Sequence, residues 1–362
     1  MQSASIRKWL LALTLLAVIL WTIVYFYDQS AQKAEKATRI ILEPQESFPY
    51  HKPEISGAKT NKPSDADAAA AQKNLRQKVE EWLTLHHRSA ASLLAAFHVL
   101  DDTNYLKEAA TSFPNDPRVE LTVLTRNAFP DDRRKWLDLY KASSPSNSLA
   151  NYLSAQTCFQ NGQSEAAVND LVAATGKPDF ENYLLESQLD TEALGLFCGE
   201  SAWKAVETAL AGSAKDSALA TLKQLASQMT DLQKQELNVG DKNSAENLAQ
   251  MGAILGDQLN SGTSGNYLIN QLAGIAIESM MLDQLDSNTS YDFLDGETPA
   301  QRLHEIKQQE FKLNQLVKNF AGIKPALTDA EQVSFQERVK IYGEIAAMQW
   351  ALQQRGIPQN SP

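Results

Sequence analysis

Cysteine is nearly missing from this chain. Cys158 and Cys198 make up the whole complement, which excludes a disulfide framework and a Cys-rich zinc site. One bridge between them in an oxidising compartment is one reading. The other is two thiols buried as small hydrophobes, which suits the helical stretch around Cys158. Clustered cations are missing too. Lys and Arg number 33 against 44 Asp and Glu, for a net charge of −11 and a pI near 5.1. Nucleic-acid affinity rests largely on phosphate contacts, so no nucleic-acid partner is expected. Gly and Pro are ordinary at 16 and 13, which argues against a fibrous or wholly disordered chain.

Catalytic signatures are also absent. No HExxH occurs, so that zinc-protease mechanism has no ligands, and no GxSxG elbow occurs. Ser261-Gly-Thr-Ser-Gly265 lacks the GK[ST] ending of a phosphate loop and no strand precedes it. It reads as a turn between helices. His87 and His98 fall eleven apart, near one face if a single helix spans them, but a metal needs a third ligand and a second shell. Solvent-facing or capping histidines are the plainer account, and His51, His86 and His304 add no pattern. Asp101-Asp102 and Asp131-Asp132 precede expected helices, where carboxylates cap amides and favour the dipole. Glu80-Glu81, Asp283-Asp286 and Asp292-Asp295 supply acidic pairs that any acidic protein has, although a glycosidase needs two facing carboxylates. No catalytic, cofactor-binding or metal-ligating residue is assigned, and no cofactor is expected.

One long hydrophobic run is present. Trp9 to Tyr27 reads WLLALTLLAVILWTIVYFY, without a charge. As a helix it would cover ~28 Å, close to the hydrocarbon thickness of a bilayer. Arg7 and Lys8 precede it, Asp28 follows it, and Trp9, Tyr25 and Tyr27 stand where interfacial aromatics do. The rival is a cleaved signal peptide, with a shorter apolar region and small residues at the cleavage point. Cleavage after Ala31 places Gln29 where a small residue belongs, so retention as a signal-anchor is expected. Arg7 and Lys8 favour a cytoplasmic N-terminus, though Lys33, Lys36 and Arg39 dilute the bias. The bulk is then extracytoplasmic, periplasmic in a Gram-negative cell.

The expected organisation is a tail and anchor over 1–27, a linker over 28–67, a helical-repeat domain over 68–232 and a C-terminal bundle over 233–362. The linker carries Pro44, Pro49, Pro53 and Pro63 without a PxxP core. Forty such residues reach tens of Å as a coil.

Between about 81 and 178 the chain repeats. Pro114, Pro145 and Pro178 are spaced by 31 and 33 residues; Leu106, Leu139 and Leu171 by 33 and 32. Ala110, Ala142 and Ala174 recur at 32, as do Ala91, Val123 and Ala155. Turns are expected at Asp101-Asp102, Phe129-Pro130 and Asn161-Gly162. Two helices per unit of this length predict a solenoid. On these residues the chain resembles the tetratricopeptide repeat family. The best unit runs from Leu149 to Pro178, where Ala155, Gly162, Ala167, Leu171, Ala174 and Pro178 match small, turn, small, large, small and breaker positions. The resemblance covers a little over a quarter of the chain. It implies stacked helix pairs with a concave face that binds a protein or peptide.

The polar stretch Gln233 to Asn243 reads as a break between lobes, with four helices after it. They are expected at about 244–260 and 266–286, then from Thr298-Pro299 with Gln301 completing a capping box, then from Thr328 with Glu331. On the last, Phe335, Val339, Tyr342 and Ala346 form one stripe, and Ile341, Ile345, Met348 and Leu352 a second. Two stripes on one helix predict burial on two sides. Gly252, Gly256 and Gly274 suggest close backbone approach. Asn288-Thr289-Ser290 is a glycosylation sequon on paper. Tyr291, Phe293 and Leu294 read as an apolar cluster tucked against its own bundle, or as a docking segment.

The sequence therefore predicts an all-α chain: an N-terminal transmembrane helix, a tetratricopeptide-like α-solenoid and a C-terminal helical bundle. The function expected is a non-enzymatic adaptor or scaffold that binds a protein or peptide partner on the repeat surface and the membrane through Trp9–Tyr27. A membrane-tethered chaperone for exported proteins, sharing the plan of the lipase foldases without their motif, is the first alternative. An enzyme acting on cell-envelope polymers through the C-terminal lobe is the second.

Overall fold

A computed structural model describes residues 65–262 and 264–357. The run Trp9–Tyr27 and the linker up to residue 64 lie outside the described residues. Among those described, no helix is long and apolar enough to cross a membrane.

The described chain is all-α, with fifteen α-helices, four short 3-10 turns and no strand; the one β-type contact is an isolated bridge between Asn147 and Asp179. The first nine helices are α1 (Asp65–Leu85), α2 (Ala90–Leu100), α3 (Thr103–Ser112), α4 (Pro117–Thr125), α5 (Arg133–Ser143), α6 (Leu149–Gln160), α7 (Ser164–Thr175), α8 (Leu184–Phe197) and α9 (Ala202–Ala214). Short polar side chains start many of them by accepting amide protons that the first turn leaves free. Ser89 accepts from Ser92, Asp102 from Asn104, Asp116 from Arg118 and Ser201 from Lys204. Asp101 differs from Asp102: it ends α2 in the left-handed region at φ 49°. Asp131 and Asp132 form a 3-10 turn, and Asp132 makes no side-chain cap bond. The turns expected at Asp101-Asp102, Phe129-Pro130 and Asn161-Gly162 all fall between the helices of a pair.

The first helix of each of the first three pairs is enclosed. Every residue from Ser92 to His98 in α2 is buried, as is every residue from Val119 to Leu124 in α4 and from Leu149 to Gln156 in α6. A helix apolar on all sides must be covered on all sides. α8 and α9 cover α2, and α10 (Leu219–Val239) covers α6. In a regular solenoid each unit meets only its neighbours; here the first pair meets the fourth. The later helices thus lie against the first helices of the first and third pairs.

Gln233 lies inside α10 and is itself buried, with its Nε2 donating to Met281 O at 3.2 Å. The polar stretch to Asn243 is a hairpin, turned at Gly240 with φ 87°, and leads into α11 (Lys242–Asn260). One apolar core runs from Val79 to Met281 and so crosses residue 233. α12 (Leu268–Leu282) packs closely on α11: a Cβ on Gly256 would lie 2.8 Å from Gly274 O, and one on Gly274 would lie 2.5 Å from Gly256 O. The glycines therefore do permit close backbone approach.

A second core joins α12 to α13 (Pro299–Ile323), α14 (Asp329–Tyr342) and α15 (Glu344–Gln354). Both expected capping boxes form, Thr298 with Gln301 and Thr328 with Glu331. The single helix expected beyond Thr328 does not form. Gly343 at φ 85° breaks it into α14 and α15, which leaves Ile341 and Tyr342 exposed at the end of α14. Each stripe is therefore split, with Phe335 and Val339 buried on α14 and Met348 and Leu352 buried on α15.

Candidate functional site

His98 is the side chain the sequence reading misplaced. It is neither solvent-facing nor a cap but sits in α2 with its side chain 1 % exposed, among Leu93, Leu94, Phe97 and other apolar neighbours. A buried imidazole needs partners for both nitrogens. Nε2 lies 2.6 Å from Asp216 Oδ2, in the turn between α9 and α10. Nδ1 lies 3.2 Å from Thr191 Oγ1 and 3.3 Å from Ser187 Oγ, both on α8. Thr191 donates its own proton to Ser187 O at 2.7 Å. For a neutral ring with Nε2–H on the carboxylate, Ser187 is therefore the donor to Nδ1.

Arg126, just past α4, completes the group. Its Nε donates to Asp216 Oδ1, its Nη2 to Gly212 O at 3.2 Å, and its guanidinium lies 4.9 Å from the centre of the Phe97 ring. Gly212 is needed for this closeness, because a Cβ there would lie 2.8 Å from His98 Cβ. The polar line continues across α8: Gln188 Nε2 donates to Ser213 Oγ at 3.0 Å, and Tyr267 donates to Gln188 Oε1 at 3.0 Å. Burial pushes the Tyr267 hydroxyl up to about 12, so it stays a donor.

A cavity of about 20 Å³ opens beside this group, lined by Ser187, Asp216, Arg118, Asp190, Tyr183 and Thr122 among others. That is room for about one water. Arg118 is held by Asp116 at 2.7 Å and lies 3.9 Å from Asp190. Burial pushes the Asp190 carboxyl up, with Arg118 opposing. The order Ser187–His98–Asp216 is that of a nucleophile, a base and an orienting carboxylate. The enclosed ring and the small cavity leave it chiefly a brace between α2, α4, α8 and α9.

Glu120 is a second buried group. It is fully enclosed in α4, with Oε2 accepting from Ser143 Oγ and Oε1 without a partner. Burial pushes its carboxyl up to about 7, against the Ser143 bond.

The other sequence candidates do not converge. His87 is exposed in the turn after α1, at φ 54°. Cys158 is buried in α6 and Cys198 half-buried after α8, both free thiols, and burial pushes the Cys198 thiol up. Glu80 binds Arg88 at 2.7 Å and accepts from Tyr105 at 2.9 Å. Asp286 caps its own loop at Asn288 and Thr289. Leu294 is buried in the second core, with Tyr291 and Phe293 packed on it, so that cluster does tuck against its own bundle. Among the described residues no group of three or more His, Cys, Asp or Glu converges as a metal site would.

One surface carries clustered exposed apolar groups. α1 and α8 run in opposite directions, pinned where Lys78 Nζ donates to Cys198 O at 2.6 Å. The Trp82 ring stacks on His86 at 3.7 Å and meets Phe197 at 5.3 Å. Leu85 is 64 % exposed, Leu189 and Leu196 46 % each, and Phe197 38 %. Glu81, Glu186 and the half-exposed Asp190 stand along this strip.

Compared with known protein families, curated proteins and solved structures, the chain matches none of them.

Proposed function

We propose that this protein is a non-enzymatic adaptor, held at the membrane by Trp9–Tyr27, whose tetratricopeptide-like body binds a protein partner on the extracytoplasmic side. The observation that carries the binding role is the exposed set Leu85, Leu189, Leu196 and Phe197, beside the half-buried Trp82. Apolar groups clustered in the open mark interaction sites more often than lone ones do. The succession of helix pairs supports the repeat resemblance, and the uncharged run supports the anchor. Because α2 and α6 are covered by α8, α9 and α10, this reading takes the outer α1–α8 surface as the partner's site.

The test is a pull-down from the native membrane with the intact chain and with Leu189→Glu/Leu196→Glu. One stoichiometric partner kept by the first and lost by the second is expected. Equal capture by both overturns the site. A broad set of unfolded exported proteins would make it the tethered chaperone.

A second reading, an acyl-transfer enzyme, rests on the hydrogen-bonded order Ser187–His98–Asp216 beside a cavity. Ser187 would pass its proton to His98 Nδ1 as its oxygen attacks a small acyl carbonyl, and His98 would return that proton to the leaving group as the acyl bond breaks. A fluorophosphonate probe decides it: labelling of Ser187 that His98→Gln abolishes supports the enzyme, and an unlabelled chain removes it.

A further inference from the structure

Resting on the adaptor reading, we infer that the α1–α8 strip is built for a cationic amphipathic helix of the partner. Leu189 and Leu196 lie two turns apart on one line of α8, about 10.5 Å along its axis. Leu85 and Trp82 widen that line from α1, and Phe197 closes its end against Trp82. A helix presents apolar anchors at i, i+3 or i+4 and i+7, the same spacing. Strand addition is not available to a partner here, because two helices offer it no sheet edge.

Charge decides the helix's polar flank. Glu186 and Asp190 share the stripe of Leu189, Leu196 and Phe197, and Glu81 shares the face of Leu85. The cations nearby are engaged: Lys78 at Cys198 O, Arg118 between Asp116 and Asp190, and Lys340 at Glu192 of α8. His86 lies within electrostatic range of Asp190 but is stacked on Trp82. The whole chain carries −11. Lys or Arg flanking the apolar face of the partner would meet carboxylates on both sides of the strip, which steers encounter and sets register. A second copy of this chain would bring the same carboxylates against each other, and an anionic membrane surface would be repelled.

The experiment uses the full chain in zwitterionic lipid nanodiscs, with empty nanodiscs as the blank. The probes are fluorescent model peptides of equal length: a Leu/Lys amphipathic helix, a Leu/Glu helix, and a Lys/Ser peptide matched in charge. The Leu/Lys helix is expected to bind at least about tenfold more tightly than either other, a 1.4 kcal/mol preference. Leu189→Glu/Leu196→Glu is expected to remove that preference. Glu186→Gln/Asp190→Asn is expected to weaken binding severalfold and flatten its salt dependence. Equal binding of the Leu/Glu helix, or of the Lys/Ser peptide, overturns the inference. So does a Leu/Lys site that appears only when residues 33–42 are deleted, since the basic and apolar run from Lys33 to Leu42 would then be the natural occupant. Leu189, Leu196 and Glu186 are exposed and Asp190 is half-exposed beside Arg118, so unchanged thermal unfolding checks the variants. If the native-membrane pull-down still depends on Leu189 and Leu196 while the Leu/Lys helix fails to bind, the adaptor reading stands and only the partner's chemistry is wrong.

Discussion

At the scale of single residues, the interior is held by polar groups that apolar packing surrounds. Asp216 receives His98 and Arg126 on separate oxygens. Breaking such a group by removing one member costs more than the group contributes intact, because the remaining charge stays buried. Asp216→Asn is expected to lower unfolding stability by about 3 kcal/mol, read as a drop in the urea midpoint with an unchanged slope. A midpoint that does not move would mean that water reaches Arg126 and His98 freely.

Glu120 makes a prediction about pH. Its folded value near 7 lies above the 4.5 of an ordinary glutamate, so the folded chain holds a proton that the unfolded chain releases. The stability this contributes is fully present below about pH 4.5 and is lost as pH rises through about 7. Glu120→Gln keeps the shape and stays neutral. The difference in stability between wild type and this variant should change steadily across that window, to the variant's advantage at the alkaline end. A pH-independent difference measured by denaturant titration would place the carboxylate in contact with solvent.

At the scale of elements, the legible features were those encoded within four residues. Thr298-Pro-Ala-Gln301 and Thr328-Asp-Ala-Glu331 each contain a complete capping box, and both helices start there. The turns inside the first three helix pairs were readable from Asp, Pro and Gly for the same reason. Gly343 escaped notice because its neighbours continue a helical stripe, and only the backbone shows that the chain turns at positive φ. The cover over α2 was hidden differently. Its sequence AASLLAAFHVL is apolar around the whole cylinder, a sign that it has no open face, but which helices enclose it is a long-range fact. His98 and Asp216 are 118 residues apart, and no local pattern links them. A histidine within that apolar helix was the available signal.

Two glycines on long helices should respond in opposite directions. Gly274→Ala forces a Cβ toward Gly256 O and should cost about 1–3 kcal/mol by prising α12 from α11. Gly322, exposed on α13 with nothing within 4 Å of a would-be Cβ, should gain about 0.5–1 kcal/mol as Ala. Thermal melts of the two variants, shifting down and up respectively, check the pair; shifts of one sign would contradict the α11–α12 contact.

At the scale of the whole molecule, two apolar cores share α12 and meet through polar links. Arg302 on α13 donates to both oxygens of Glu278 on α12 at 2.6 and 3.2 Å, and Lys340 on α14 reaches Glu192 on α8 at 2.5 Å. The lobes expected to divide at residue 233 therefore share one framework, with the α1–α8 strip on its outside. In cells, alkaline carbonate extraction is expected to leave the intact chain in the membrane pellet and to release a chain lacking residues 9–27. Release of the intact chain would remove the anchor.

The adaptor claim is met most directly by placing a photo-crosslinking benzoylphenylalanine at Leu196 and irradiating cells that express the full chain. The account predicts one dominant adduct of defined mass to a single protein, mapped by mass spectrometry to a segment with apolar residues on one helical face and Lys or Arg beside them. Adducts to lipid alone, no adduct from Leu196, or the same adduct formed equally from exposed Val239 would contradict it.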